Sequence, residues 1–192
     1  MYAGDTRDEI VALVLNQPAP PGAYVPGAVT WWPDLLRPYL RGTNVFACPL
    51  VGNGFGLAMN HPELTAYSAS SRPKLSSIKR PVESIPVADA GLITQPAESD
   101  PDKWVEAPDQ GFLFWRTPTN DGYYEADPQR PVGRHNGLCN AGFVDGHAQT
   151  VKVSSIGLQY FPGKTSAGER ATGALWLGGN GLYDPLWQWD RE

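Results

Sequence analysis

Cysteine, histidine, basic charge and long apolar runs are all scarce in this chain of 192 residues. Its two cysteines, Cys48 and Cys139, stand far apart and form no zinc framework; one disulfide or two buried free thiols both remain open. With His61, His135 and His147 as the three histidines and no Gly-x-Ser-x-Gly, nucleophilic catalysis has no handle. No stretch approaches the ~20 apolar residues needed to cross a bilayer, and no charged start followed by an apolar middle marks a signal peptide. The chain is therefore expected to be soluble. Against 20 acidic residues there are 15 Lys and Arg, giving a net charge of −5 and a pI near 5.2. The basic residues are scattered, so nucleic acid is not expected as a partner. No internal repeat is present, and residues 52–56 lack the Gly-Lys-Ser/Thr of a phosphate loop.

What the chain does have is 41% hydrophobic residues, 21 glycines and 19 prolines. That composition describes one folded domain over residues 1–192, built from short strands joined by long loops. Residues 10–15 are apolar and β-branched, and a buried strand is preferred there over a short helix. From 31 to 40 the apolar positions Trp32, Leu35, Leu36 and Tyr39 fall at helical spacing, with Pro33 suited to the first turn and Pro38 set to end or kink it. Residues 44–49 read as a short extended segment. A strand is expected over 85–90, at a sheet edge or bulge because it contains Pro86. Residues 95–109, with Asp100, Asp102, Glu106 and Asp109, read as an acidic solvated loop. A strand follows over 111–116, a loop over 117–131, and strand-like pieces over 156–161 and 174–177.

The most informative stretch is 134–147, Arg-His-Asn-Gly-Leu-Cys-Asn-Ala-Gly-Phe-Val-Asp-Gly-His. Asp145-Gly146 is a strong signal for a two-residue type I′ hairpin turn, which pairs 138–144 with 147–153. In that register Cys139, Ala141, Phe143, Ala148 and Thr150 share one face, and Leu138, Val144, Val151 and Val153 share the other. His135, Asp145 and His147 can be drawn as a two-histidine, one-carboxylate metal site. At ~3.3 Å per residue an extended segment puts His135 roughly 25–30 Å from the turn, so a structural His135 is preferred.

Together with Tyr2-Ala3-Gly4-Asp5, the 35–40 block, Phe46-Ala47-Cys48-Pro49 and the 75–89 block, this stretch resembles the prepilin-type proteins with a C-terminal H-X9-DG domain. These are relatives of type II secretion pseudopilins and type IV pilins. The resemblance implies an α+β fold: a pilin-like head with an antiparallel sheet, few short helices and long loops. It also implies a preceding apolar helix, missing here, that anchors the exported subunit in the inner membrane and then packs in a filament with other subunits. His135, Asn140, Phe143, Asp145 and Gly146 would be structural motif residues, and no enzyme activity would be expected. Related pseudopilins hold calcium in loops of the head, which makes Asp121, Glu125 and Asp127 candidate ligands, with solvated loop charges as the plainer expectation. An alternative of another class is a carbohydrate-binding module using Trp31, Trp32, Trp104, Trp115, Trp176, Trp187 and Trp189, for which exposure of coplanar rings is decisive.

Overall fold

A computed structural model of the chain describes residues 7–158, apart from 43, 53–54, 66, 68–71 and 121–122. The blocks at 2–5 and 174–177, Asp121, Trp176, Trp187 and Trp189 lie outside the described residues, as does the end of the 156–161 piece. The centre of the described fold is β4 (Val87–Ile93), whose small residues Ala88, Ala90 and Gly91 let neighbours approach on both sides. Its first half is paired antiparallel with β3 (Leu57–His61) and β8 (Cys139–Gly142). Its second half is paired antiparallel with β5 (Glu106–Gly111) and β7 (Gln129–Pro131). β9 (Ala148–Val151) extends the sheet beyond β8, and β6 (Phe114–Arg116) lies on the far side of β3.

The result is a sheet-rich fold with few helices, and several expectations need correcting. The sheet is mixed, because β3 and β6 run parallel; such a pair needs a long crossover, and the chain supplies one between 62 and 113. The strand over 87–93 is central, since Pro86 sits just before it and its carbonyl accepts from the Asn60 N–H at 2.8 Å. Removing Pro86 from the ladder removes the reason for an edge position. The 95–109 stretch is not simply a solvated loop: it forms a 3-10 turn (Pro101–Lys103) and the start of β5.

The two faces of the sheet carry different cores. Ala58, Ala88, Cys139, Ala141 and Val151 belong to one cluster with Ile85, Trp104, Trp115, Tyr124, Val153 and Ile156. Met59, on the opposite face, packs with Ile10, Leu13, Trp32, Phe46, Leu64 and Ile78. This second layer comes from the N-terminal part: β1 (Val14–Leu15) pairs with β2 (Thr30–Trp31), and α1 (Trp32–Leu36) follows. The strand expected over 10–15 is therefore ladder-paired only at its end, although 10–13 are buried. α1 stops where Pro38 cannot continue it, and a 3-10 turn (Arg37–Tyr39) takes over. Buried Asp34 accepts from the Tyr24 and Val25 N–H groups and folds the proline-rich loop back onto the helix. Residues 44–46 form a 3-10 turn (Asn44–Phe46) in place of the expected extension, held by the Gly56 N–H donating to the Phe46 carbonyl at 2.9 Å.

His61 closes β3 with its ring buried and Nδ1 3.3 Å from the Thr65 carbonyl oxygen. Burial holds its pKa below the ordinary 6.5; the Thr65 carbonyl works the other way, and the Arg116 charge lowers it further. The unfolded chain therefore takes up this proton more readily than the folded one. The neutral ring contributes stability that is complete above about pH 6.5 and is lost as pH falls through the unfolded value toward the folded one. Urea midpoints measured from about pH 7.5 down to about 5.5 are expected to fall less steeply in His61→Gln than in the wild type. Identical slopes would contradict that assignment.

Among the described residues no helix is long and apolar enough to cross a membrane.

Candidate functional site

Two turns shape the 134–147 stretch, and neither matches the expected one. Asn136 and Gly137 have φ of 55° and 78°, with the His135 N–H donating to the Leu138 carbonyl and the Leu138 N–H returning to His135. The two-residue turn with both φ positive is therefore Asn136-Gly137. At the hairpin tip the loop has three residues. The Gly146 N–H donates to Phe143, the Phe143 N–H donates to His147, and of Val144, Asp145 and Gly146 only Gly146 has positive φ, at 97°. This is a type I turn closed by a bulge at a left-handed glycine.

The extra residue shifts the register by one: Cys139 faces Val151 and Gly142 faces Ala148. A one-residue slip turns the whole second strand over, so Val151 joins Cys139, Ala141 and Phe143 on the core face, while Ala148 and Thr150 face outward. Asp145 and His147 serve the turn itself. The carboxylate accepts from the His147 backbone N–H and lies 2.6 Å from its ring Nδ1. Those His147 contacts, the backbone bond foremost, hold the Asp145 carboxyl below the usual range. The His147 ring stacks on Phe143 at 4.1 Å. Backbone N–H groups of Val144 and Asp145 donate to the Ser84 and Pro81 carbonyls, which ties the tip to the chain leading into β4.

The other end of the stretch converges on Asp89, whose side chain is 3% exposed. Oδ2 accepts from the Asn140 N–H at 2.8 Å and lies 3.3 Å from His135 Nε2; Oδ1 faces the Arg134 guanidinium at 3.3 Å. Arg134, itself 4% exposed, also donates to both carboxylate oxygens of Glu106 and to the Gly56 and Ala90 carbonyls. Burial pulls the guanidinium pKa down, but the hydrogen bonds and charge of Glu106, with the charge of Asp89, outweigh it and raise the value above that of an ordinary arginine. Glu106 reaches Arg134 by crossing Gly91, where a Cβ would meet its Oε1 at 2.1 Å. One buried cation thus joins the entry to β3, β4, β5 and the segment entering β8. The cluster is chemically a brace: its charges are satisfied by one another and by main-chain groups.

Beside it lies a cavity of about 300 Å³ lined by Val45, Ala47, Cys48, Leu57, Asp89 and His135, among others. Cys48 Sγ is 3.8 Å from His135 Nε2. Both cysteines are free. Cys139 points from β8 into the core, hydrogen-bonded to the Asp89 carbonyl, while Cys48 sits over the opposite face with the Asp89 side chain. The sheet separates them, so the disulfide left open by the sequence does not form. Burial, followed by the Asp89 charge, pushes the Cys139 thiol up to about 12.

A second and larger space, about 450 Å³, opens on the same face between Leu57, Val87, Asn140, Gly142, Ala148 and Thr150. Here, among the described residues, the N-terminal layer stops short and leaves part of the sheet face open, floored mainly by small or apolar groups. At Gly142 a Cβ would come within 2.9 Å of Val87 Cγ1, so the floor is low at that point.

The two described calcium candidates, Asp127 and Glu125, are each held by an arginine. Asp127 accepts from Arg116 and from Gln129 Nε2, and Glu125 pairs with Arg130 at 3.4 Å. Among the described residues no group of three His, Cys, Asp or Glu side chains is placed to hold a metal ion, and His135 does not meet Asp145 or His147. Of the described tryptophans, Trp32, Trp104 and Trp115 are buried, and Trp31 is half-buried, its ring parallel to Phe114 at 6.4 Å. The sequence does not single out Asp89 as a hub or Glu106 as a partner. The only hint was a carboxylate inside the otherwise apolar run of β4.

Compared with family models, with curated proteins and with solved structures, the chain has no match in any of the three.

Proposed function

We propose that the chain is the globular head of a pilin-like subunit, a non-enzymatic structural protein that assembles with other such subunits after export and membrane anchoring through an apolar helix. The observation that carries this is the half-open sheet face. One part of it is covered by β1, β2 and α1, while the part around Leu57, Val87, Gly142 and Ala148 offers an apolar floor. A helix packs by inserting one stripe of side chains between those of its neighbour, and a space of about 450 Å³ is suited to a few side chains of such a stripe. The brace around Arg134 has a matching purpose: it fixes β8 and β9 against β4, and these three strands form most of the floor.

Binding of an apolar helical peptide to the chain in mild detergent tests this. A carboxylate placed on the floor by Ala148→Glu, at an exposed position, is expected to abolish binding without unfolding the head. Equal binding by wild type and variant would contradict the assignment of this face.

A further inference from the structure

Among the described residues the sheet stops at β9, with nothing paired to its outer edge. At the hairpin tip Phe143 and His147 form a hydrogen-bonded pair, the Phe143 N–H donating to the His147 carbonyl at 2.9 Å. In an antiparallel ladder such pairs alternate with pairs that exchange no bonds. Ala148 opposite Gly142 and Thr150 opposite Asn140 are therefore of the second kind, and their N–H and C=O groups point away from β8. No main-chain group among the described residues meets them. The edge also lacks the usual guards: β9 holds no proline and no charged side chain, and Ala148, Gln149 and Thr150 are exposed. We propose that residues 174–177, Ala-Leu-Trp-Leu, add to this edge as a further strand.

Length, charge and reach single out that segment. β9 spans four residues, and 174–177 is the one run of four apolar residues after Leu158, without proline or charge and set off by Gly173 and Gly178. Pairing the two would take no charged side chain out of water. The 3-10 turn Val153–Ile156 and the buried Leu158 follow β9 directly, so the chain passes beyond the described residues soon after this strand. From there, residues 159–173 can span up to roughly 50 Å when extended, more than a return to β9 requires. Alternation makes the docking indifferent to phase. Leu175 and Leu177 fall on one face and Ala174 and Trp176 on the other, so either pair continues the apolar floor beside Ala148 and Thr150. The helix assignment concerns the side chains of that floor, whereas the added strand concerns the main chain at its margin, and neither depends on the other.

Residue-resolved amide hydrogen exchange on the full chain of 192 residues tests this. The Ala148 and Thr150 N–H groups are expected to exchange about a hundredfold or more below their unprotected rates. Leu175→Pro and Trp176→Pro are then compared. Adjacent strand residues aim their N–H groups to opposite sides, so one of the two substitutions removes a ladder donor, and at least that variant is expected to return both amides to near the unprotected rate. Unchanged slow exchange at Ala88 and Ala90 in β4 shows that a variant is folded. Should a proline variant loosen β4, Leu175→Gly with Trp176→Gly weakens the added strand without removing a donor, and the same release is expected. Unprotected exchange at Ala148 and Thr150 in the full chain would overturn the proposal, as would protection that survives every substitution. Protection that vanishes on dilution, with a dimer seen by sedimentation, would give the edge to a second copy of the chain and overturn it as well.

Discussion

Arg134→Met is expected to lower the stability of the fold by about 3–5 kcal/mol, the range for removing one partner of a buried ion pair. The size follows from what the substitution leaves behind. Asp89, 3% exposed, would keep the Asn140 N–H and His135 but lose the cation that faces its second oxygen. Glu106, folded over Gly91 toward the interior, would lose both hydrogen bonds to the guanidinium. The Gly56 and Ala90 carbonyls would lose a donor as well. Urea denaturation gives the value directly. A loss below about 1 kcal/mol would mean that the network behaves like a surface ion pair. Combining Arg134→Met with Asp89→Asn and Glu106→Gln is expected to recover part of the loss, because the variant then buries no uncompensated charge. Arg134→Lys should fall between, since an ammonium cannot reproduce the two-pronged contact with Glu106.

Gly56→Ala is expected to cost about 1–3 kcal/mol by overpacking. The added methyl would overlap Cys48 Cβ and crowd its backbone, and residue 56 has little freedom to move away. Its N–H donates to Phe46, and its carbonyl accepts from Ala90 and Arg134. Gly42 serves as the control, because a Cβ there meets nothing within 4 Å and its backbone is not in the left-handed region. Gly42→Ala should stay within about 0.5 kcal/mol of wild type. Equal effects at the two positions would mean that the 44–49 turn does not rest on β3 as described.

Sheet content, the scarcity of helix and the short helix at Trp32 were legible in the sequence, because each depends on local pattern: apolar spacing, Pro33 in the first turn and Pro38 beyond the last. A hairpin within 138–153 was legible for the same reason. Its register was not. Asp-Gly signals a turn but does not distinguish a two-residue loop from a three-residue one with a bulge, and that single residue decides which side of β9 is buried. Asn136-Gly137 carried the stronger signal for a two-residue turn and was hidden beside it. The parallel β3 and β6 pair and the brace were illegible for a different reason. Arg134 meets Glu106 and Asp89 across 28 and 45 residues, and no periodicity encodes a contact between a cation and two carboxylates on separate strands. Glu106 looked like a solvated loop charge because it shares an acidic, proline-containing stretch with Asp100, Asp102 and Asp109.

The most direct test of the head assignment is to locate an apolar helix on the chain by amide chemical shifts during titration with a synthetic apolar helical peptide in detergent. The largest shifts are expected at Leu57, Val87, Gly142 and Ala148, with little change at Ala88, Cys139 and Val151 on the opposite face. Shifts concentrated away from this face, or none at saturating peptide, would contradict it.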